Sequence, residues 1–221
     1  MKPGLRKLVL TTHITLSVGW LGAVITYLAL AIVGLTSHDA QRVQAAYLSM
    51  ETIAWFVIIP FSLTTWLAGL AESLGTPWGL FRYWWVFVKF VLTTGATIIL
   101  LRHLPVVTEM ANTARAMTWS AAGFLELRIQ LAVHAAGGLL VLLGATVLSV
   151  YKPWGMTPYG RRVAREQRPA SPVGVPSPEP VVLQGTTPRT PRWAYIVGFH
   201  AIGLALLFVV LHLTEGRVWS H

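Results

Sequence analysis

Apolar residues fall into five runs along the chain, at 8–34, 49–70, 84–104, 127–151 and 193–213. Each reaches or exceeds the roughly 20 residues that a helix rising about 1.5 Å per residue needs to cross a bilayer. Extended strands would leave backbone groups unpaired in lipid, so the runs predict helices. The first run follows a basic start, MKPGLRK, and ALA at 29–31 resembles a cleavage site. Its length far exceeds a signal core of about 7–15 residues, which predicts a retained span. The expected fold is therefore all-α and polytopic. It comprises a four-helix transmembrane core in residues 1–155 and a fifth, C-terminal transmembrane helix in 193–221. Between them, residues 156–192 read as a linker. The stretch 152–192 holds nine of the thirteen prolines, seven basic residues and two acidic ones. Such a segment has too little apolar surface for a core, which predicts disorder.

Composition agrees with the pattern. The chain has 221 residues, 54% of them hydrophobic and only 11% charged, with a mean hydropathy of +0.60. A soluble domain carries about 25% charged residues. A net charge of +9 raises the question of nucleic acid. The basic residues sit between and beside the apolar runs, however, and no nucleic-acid-reading motif accompanies them. With the N-terminus in the cytoplasm, eleven basic residues fall inside and five outside, the latter being Arg42, Arg102, Arg115, Arg128 and Arg217. The positive-inside rule then predicts a cell-membrane protein with its C-terminus outside. There is no cysteine. Disulfides, thiolate metal sites, iron–sulfur clusters and thioether-attached haem are excluded.

Ionisable residues inside spans are rare and face a bundle interior or a cavity, so each marks a candidate site. By depth they form two layers. His13, Lys89 and His200 lie towards the cytoplasmic side, and Glu51, His103, His134 and His212 towards the outside. On the first span His13, Ser17, Trp20 and Tyr27 follow helical spacing and share one face. Lys89, Thr93, Ala96 and His103 make a similar stripe on the third. His134 lies beside Gly137, Gly138, Val141 and Ala145, and His200 is flanked by Gly198, Ala201 and Gly203. Imidazoles from two helices with small residues beside them suit haem iron and a flat macrocycle, and a lysine suits a propionate. His13 with His200, or His134 with another outer histidine, are the candidate ligand pairs. Small residues at these spacings equally serve close helix packing, and a histidine can simply hydrogen-bond a neighbouring helix.

HITLSVGWLG (13–22) fits a His, six residues, Trp, one residue, Gly pattern found in small bacterial membrane proteins. IIPFSLTTWLAGL (58–70), YWWVFVKFVL (83–92) and VLSVYKPWG (147–155) follow in the same order as the corresponding motifs. Over residues 8–155 the chain thus resembles the superfamily of copper-resistance D-type proteins and J-type protoporphyrinogen oxidases. The resemblance implies a four-helix core and, by likeness to the oxidases, b-type haem with His13 and Lys89 as the functional pair. The oxidases' Pro-Arg and second histidine after the first-span tryptophan are absent, as is the Asn-Glu-x-x-Pro opening of their fourth span. The fifth span is additional. Likeness to the copper-resistance proteins raises Met50, His103, Met110, Met117 and His134 as copper donors, softer sulfur suiting Cu(I) and imidazole Cu(II).

Three readings remain open on these grounds. The first is a haem-binding redox protein working with a membrane redox partner, with His13, Lys89, His134, His200 and Trp20 at the cofactor and His13, His134 and His200 on the iron. The second is a non-catalytic membrane or accessory protein. The third is a carrier of copper or a small solute. No Ser–His–acid set, phosphate loop or paired catalytic carboxylates occur, and of the eight acids only Glu51 is expected within a span.

Overall fold

A computed structural model describes residues 3–75, 79–116 and 124–167. Four helices in it are long and apolar enough to cross a membrane: Gly4–Thr36, Ala40–Gly75, Trp84–Ala116 and Leu125–Tyr151. The described elements are α1 (Pro3–Thr36), α2 (Ala40–Ile53), α3 (Ile59–Gly75), α4 (Trp84–Ala116), α5 (Leu125–Tyr151) and α6 (Pro158–Glu166). Outward-facing Leu8, Phe56, Leu67, Leu74 and Val150 are each more than half exposed. An apolar outer surface of that extent suits contact with lipid rather than water.

α2 and α3 form one continuous rod through a π-helical stretch, Ala54–Ile58. Its cause is Pro60. A proline within a helix has no N–H for the carbonyl four residues back and its ring crowds that carbonyl. The chain accommodates this by widening, and the Ile59 N–H reaches back five residues to the Ala54 carbonyl. The rod starts nine residues before the expected second span because Asp39 caps it. The Asp39 carboxylate accepts from the backbone N–H of Gln41 at 3.0 Å and of Arg42 at 3.4 Å.

α4 likewise runs past the expected third span, continuing beyond Pro105 to Ala116. The extensions of α2 and α4 hold each other. Gln44 donates to the Ala114 carbonyl at 2.9 Å, and Arg115 pairs with Glu51. Arg128, at the start of α5, donates to the Gly34 carbonyl and to the Tyr47 hydroxyl. It thereby covers a carbonyl that the last turn of α1 leaves without a helical partner. Gly34 must lack a side chain, since a Cβ there would lie 2.6 Å from the Tyr47 ring.

The bundle places α1 between α2/α3 and α5, and α4 between the same neighbours on the opposite corner. Its core includes Trp20, Tyr27, Tyr47, Met50, Met110 and Leu131. α5 stops at Lys152, whose φ of 44° is left-handed, ahead of Pro153. One part of the expected linker is ordered. Met156 forms an isolated β-bridge with Tyr83, and Thr157 caps α6 by accepting from the Gly160 N–H at 3.0 Å. The same threonine donates from its backbone to the Arg82 carbonyl at 2.9 Å and from its hydroxyl to the Phe81 carbonyl at 2.6 Å. A Thr-Pro pair is a helix start signal, which a count of prolines and charges passes over. The rest of the linker and the fifth span lie outside the described residues.

Candidate functional site

His13, Glu72 and Lys89 come from three helices, α1, α3 and α4, and line one half-enclosed cavity of about 130 Å³. Its walls include Trp20, Trp66, Trp85 and Phe90, and its polar lining includes Ser17, Thr65, Thr93 and Ser149. Helical spacing builds it. His13, Ser17 and Trp20 on α1 recur as Thr65, Gly69 and Glu72 on α3, each set at i, i+4 and i+7 and thus on one face.

The His13 Nδ1 lies 3.1 Å from the Thr65 carbonyl oxygen. A carbonyl only accepts, so Nδ1 carries the proton, and Nε2 of the neutral ring is an acceptor. Gly69 allows this contact, because a Cβ there would sit 3.1 Å from the ring's Cε1. Ser17 donates to the His13 carbonyl at 2.7 Å. Lys89 donates to the Ser149 hydroxyl at 3.3 Å, and Ser149 donates on to the Ala145 carbonyl at 2.8 Å. Trp66 donates its indole N–H to the Thr94 hydroxyl at 2.8 Å and lies against Phe90, ring centroids 5.7 Å apart.

Glu72 makes no ion pair among the described residues. Both Glu72 and Lys89 line the same cavity. The Thr65 hydroxyl, on a residue 5% exposed, has no hydrogen-bond partner among the described residues. Buried polar groups in folded proteins are nearly always satisfied, by protein, water or ligand.

The second layer is separate. His103 and His134 stack face to face, ring centroids 3.7 Å apart and planes 10° from parallel. The His134 Nδ1 lies 2.7 Å from the Gln130 carbonyl and therefore carries the proton, by the same argument. The pair borders an apolar cavity of about 80 Å³ that also meets Tyr27, whose buried hydroxyl has no hydrogen-bond partner among the described residues. Trp20 and Leu142 line both cavities and divide them. Trp20 is 3% exposed.

Of the sequence-predicted site residues, His13, Lys89 and Trp20 come together and His134 stands apart, beyond Trp20. His200 and His212 lie outside the described residues. The expectation that Glu51 is the only acid within a span is corrected. Glu72 sits in α3 and reaches the cavity, because the rod continues to Gly75 rather than ending at residue 70. Its relation to Thr65 and Gly69 was the available signal. Glu109 and Glu126 also lie within the long helices.

Comparison with protein-family models, with curated proteins and with solved structures gives no match. The likeness to the copper-resistance and oxidase superfamily therefore rests on its four ordered motifs.

The described residues alone do not make a b-type haem site, and the His13–His200 pairing lies outside them. The His13 ring is oriented as a ligating imidazole is, with Nδ1–H held by a carbonyl. Its cavity, however, includes no second histidine among the described residues. Its 130 Å³ is close to the roughly 150 Å³ that holds a single benzene, far below a tetrapyrrole. Two histidines sharing one iron bind it from opposite sides, each nitrogen about 2 Å from the metal. Rings stacked at 3.7 Å leave no room for that. Among the described residues no three histidines, aspartates or glutamates gather as a metal site, and Met50 and Met110 are packed in the core at 1% exposure.

Proposed function

We propose that this multi-pass membrane protein binds a small molecule in the His13–Glu72–Lys89 cavity, and that these residues serve the ligand rather than helix packing. The carrying observation is their convergence from three helices on a space they do not themselves fill. Charged side chains in membrane helices carry an insertion cost, about 2.5–3.5 kcal/mol at the helix centre and less towards the ends, where Lys89 and Glu72 lie. Close packing alone is met by small and apolar residues at no such cost. The spare hydrogen-bonding capacity is mixed. Lys89 offers donors, Glu72 and the His13 Nε2 offer acceptors, and the Thr65 hydroxyl offers either. An N-terminus in the cytoplasm, the orientation that the positive-inside rule favours, would put this cavity towards the cytoplasmic face.

The test is the double variant Lys89→Met with Glu72→Leu, purified in detergent and melted by circular dichroism. Replacing buried charges with apolar side chains of similar volume is neutral or stabilising by about 1–4 kcal/mol. A ligand site predicts a melting temperature at or above that of the wild type. A packing role predicts a loss, and a fall of more than about 5 °C, well over 1 kcal/mol for a chain of this size, overturns the proposal.

A further inference from the structure

We propose that the ligand is a single-ring hydroquinone taken up from the bilayer, bound by its two ring oxygens. The inference rests on the reading of the cavity as a ligand site and adds the chemistry of what it takes. Size limits the choice first. The cavity of about 130 Å³ matches one six-membered ring and is only half-enclosed. A void near 150 Å³ accepts benzene, whereas drug-sized ligands use about 300 Å³ or more.

The walls limit it next. Trp20, Trp66 and Phe90 supply aromatic surface, against which a flat ring is stabilised by offset or tilted contacts. The polar groups then choose the oxidation state. The Thr65 carbonyl fixes the His13 proton on Nδ1, so Nε2 of the neutral ring accepts and does not donate. The Glu72 carboxyl group offers acceptor oxygens as well. A quinone carries two carbonyl oxygens, which also only accept, so it leaves the His13 and Glu72 acceptors unanswered. A hydroquinone presents its two O–H donors to them, and a lone pair on either of the same two oxygens still accepts from Lys89. The unpartnered, buried Thr65 hydroxyl adds a further group able to turn either way. No electron transfer is part of the proposal, which concerns recognition of the reduced ring.

The experiment is a series of circular-dichroism melts on the full-length protein in detergent, with decylubiquinol kept reduced by dithionite, or with decylubiquinone. A ligand that binds only the folded state raises the melting temperature with its concentration. The expected result is a concentration-dependent rise with decylubiquinol, an apparent affinity for decylubiquinone at least ten-fold weaker, and loss of the rise in His13→Leu and Lys89→Met. If either variant fails to fold, Glu72→Gln preserves size and is expected to weaken decylubiquinol binding at least five-fold. No rise with the quinol, an equal rise with both forms, or an unchanged rise in the folded variants overturns the hydroquinone proposal. If the Lys89→Met, Glu72→Leu protein meanwhile melts at or above the wild type, the cavity remains a ligand site for some other chemistry. If that variant is strongly destabilised, the site reading falls with it.

Discussion

Trp20 is the residue on which the separation of the two cavities depends, so its truncation makes the sharpest structural prediction. The side chain is 3% exposed, belongs to the main core, and forms part of the wall of both the His13–Lys89 cavity and the His103–His134 cavity. Trp20→Ala removes the indole where neighbours already leave voids of about 130 and 80 Å³. The neighbours already border voids on both sides, so they are expected to close the gap only in part. The full cost of large-to-small truncation, about 3–5 kcal/mol, therefore applies. For a chain of 221 residues, about 2–4 °C per kcal/mol converts this to a fall of roughly 6–20 °C. Melting in detergent followed by helical circular dichroism measures it. Trp20→Phe, which keeps an aromatic partition, is expected to lose less than half as much. A fall below about 3 °C for Trp20→Ala would show that Trp20 is no packed divider, and the two cavities would then have to be treated as one site.

Two further predictions concern the joints that set the helices around the site. Gly34→Ala places a Cβ 2.6 Å from the Tyr47 ring, beside the carbonyl that Arg128 caps. Overpacking of this kind costs about 1–3 kcal/mol. A chemical-denaturation midpoint unchanged from wild type would refute the tight α1–α2 contact. Thr157→Ala removes the cap of α6 and the hydroxyl donated to the Phe81 carbonyl. Loss of a cap costs about 0.5–2 kcal/mol, expected here as faster proteolysis at the arginines of α6 with the bundle's melting temperature unchanged. Equal cleavage rates would show that α6 does not depend on this anchor.

The four described spans were legible because a period of 3.6 and some 20 apolar residues carry the information for a membrane helix locally. Their ends were not. Asp39, Gln44, Glu51 and Arg115 extend the second and third helices with polar pairings between rods, and hydropathy discards such residues as loop. Glu72 was lost by the same cut, two residues past the expected end of its span. The separation of His13 and Lys89 from His103 and His134 follows their expected depths, since a residue's distance from its span end fixes its height. What depth does not give is azimuth. His103, placed by depth in the outer layer, is stacked on His134, because α4 and α5 pack side by side and turn those faces together. The anchoring of residues 156–167 was hidden for another reason. It depends on the backbone of Phe81 and Arg82, some 75 residues earlier in the chain.

Why the ionisable residues are divided between two sites follows from their chemistry. On one side of Trp20, His13, Glu72 and Lys89 surround a half-enclosed cavity, and opposite charges limit the cost of placing them in a low dielectric. On the other side the wall around His103 and His134 is nearly all apolar. There the His134 Nδ1 is held by the Gln130 carbonyl, and the two rings use their faces for packing. A direct path between the layers would expose the second pair to the charges of the first. An indole and a leucine, Trp20 and Leu142, occupy that position instead, offering apolar bulk in the shared wall. The tryptophan seven residues after His13 is therefore part of the site in a different sense from the histidine: it confines the charged groups to a space the size of one ring. A substituent that keeps its volume should keep that confinement, whereas one that removes it should loosen ligand recognition and helix packing together.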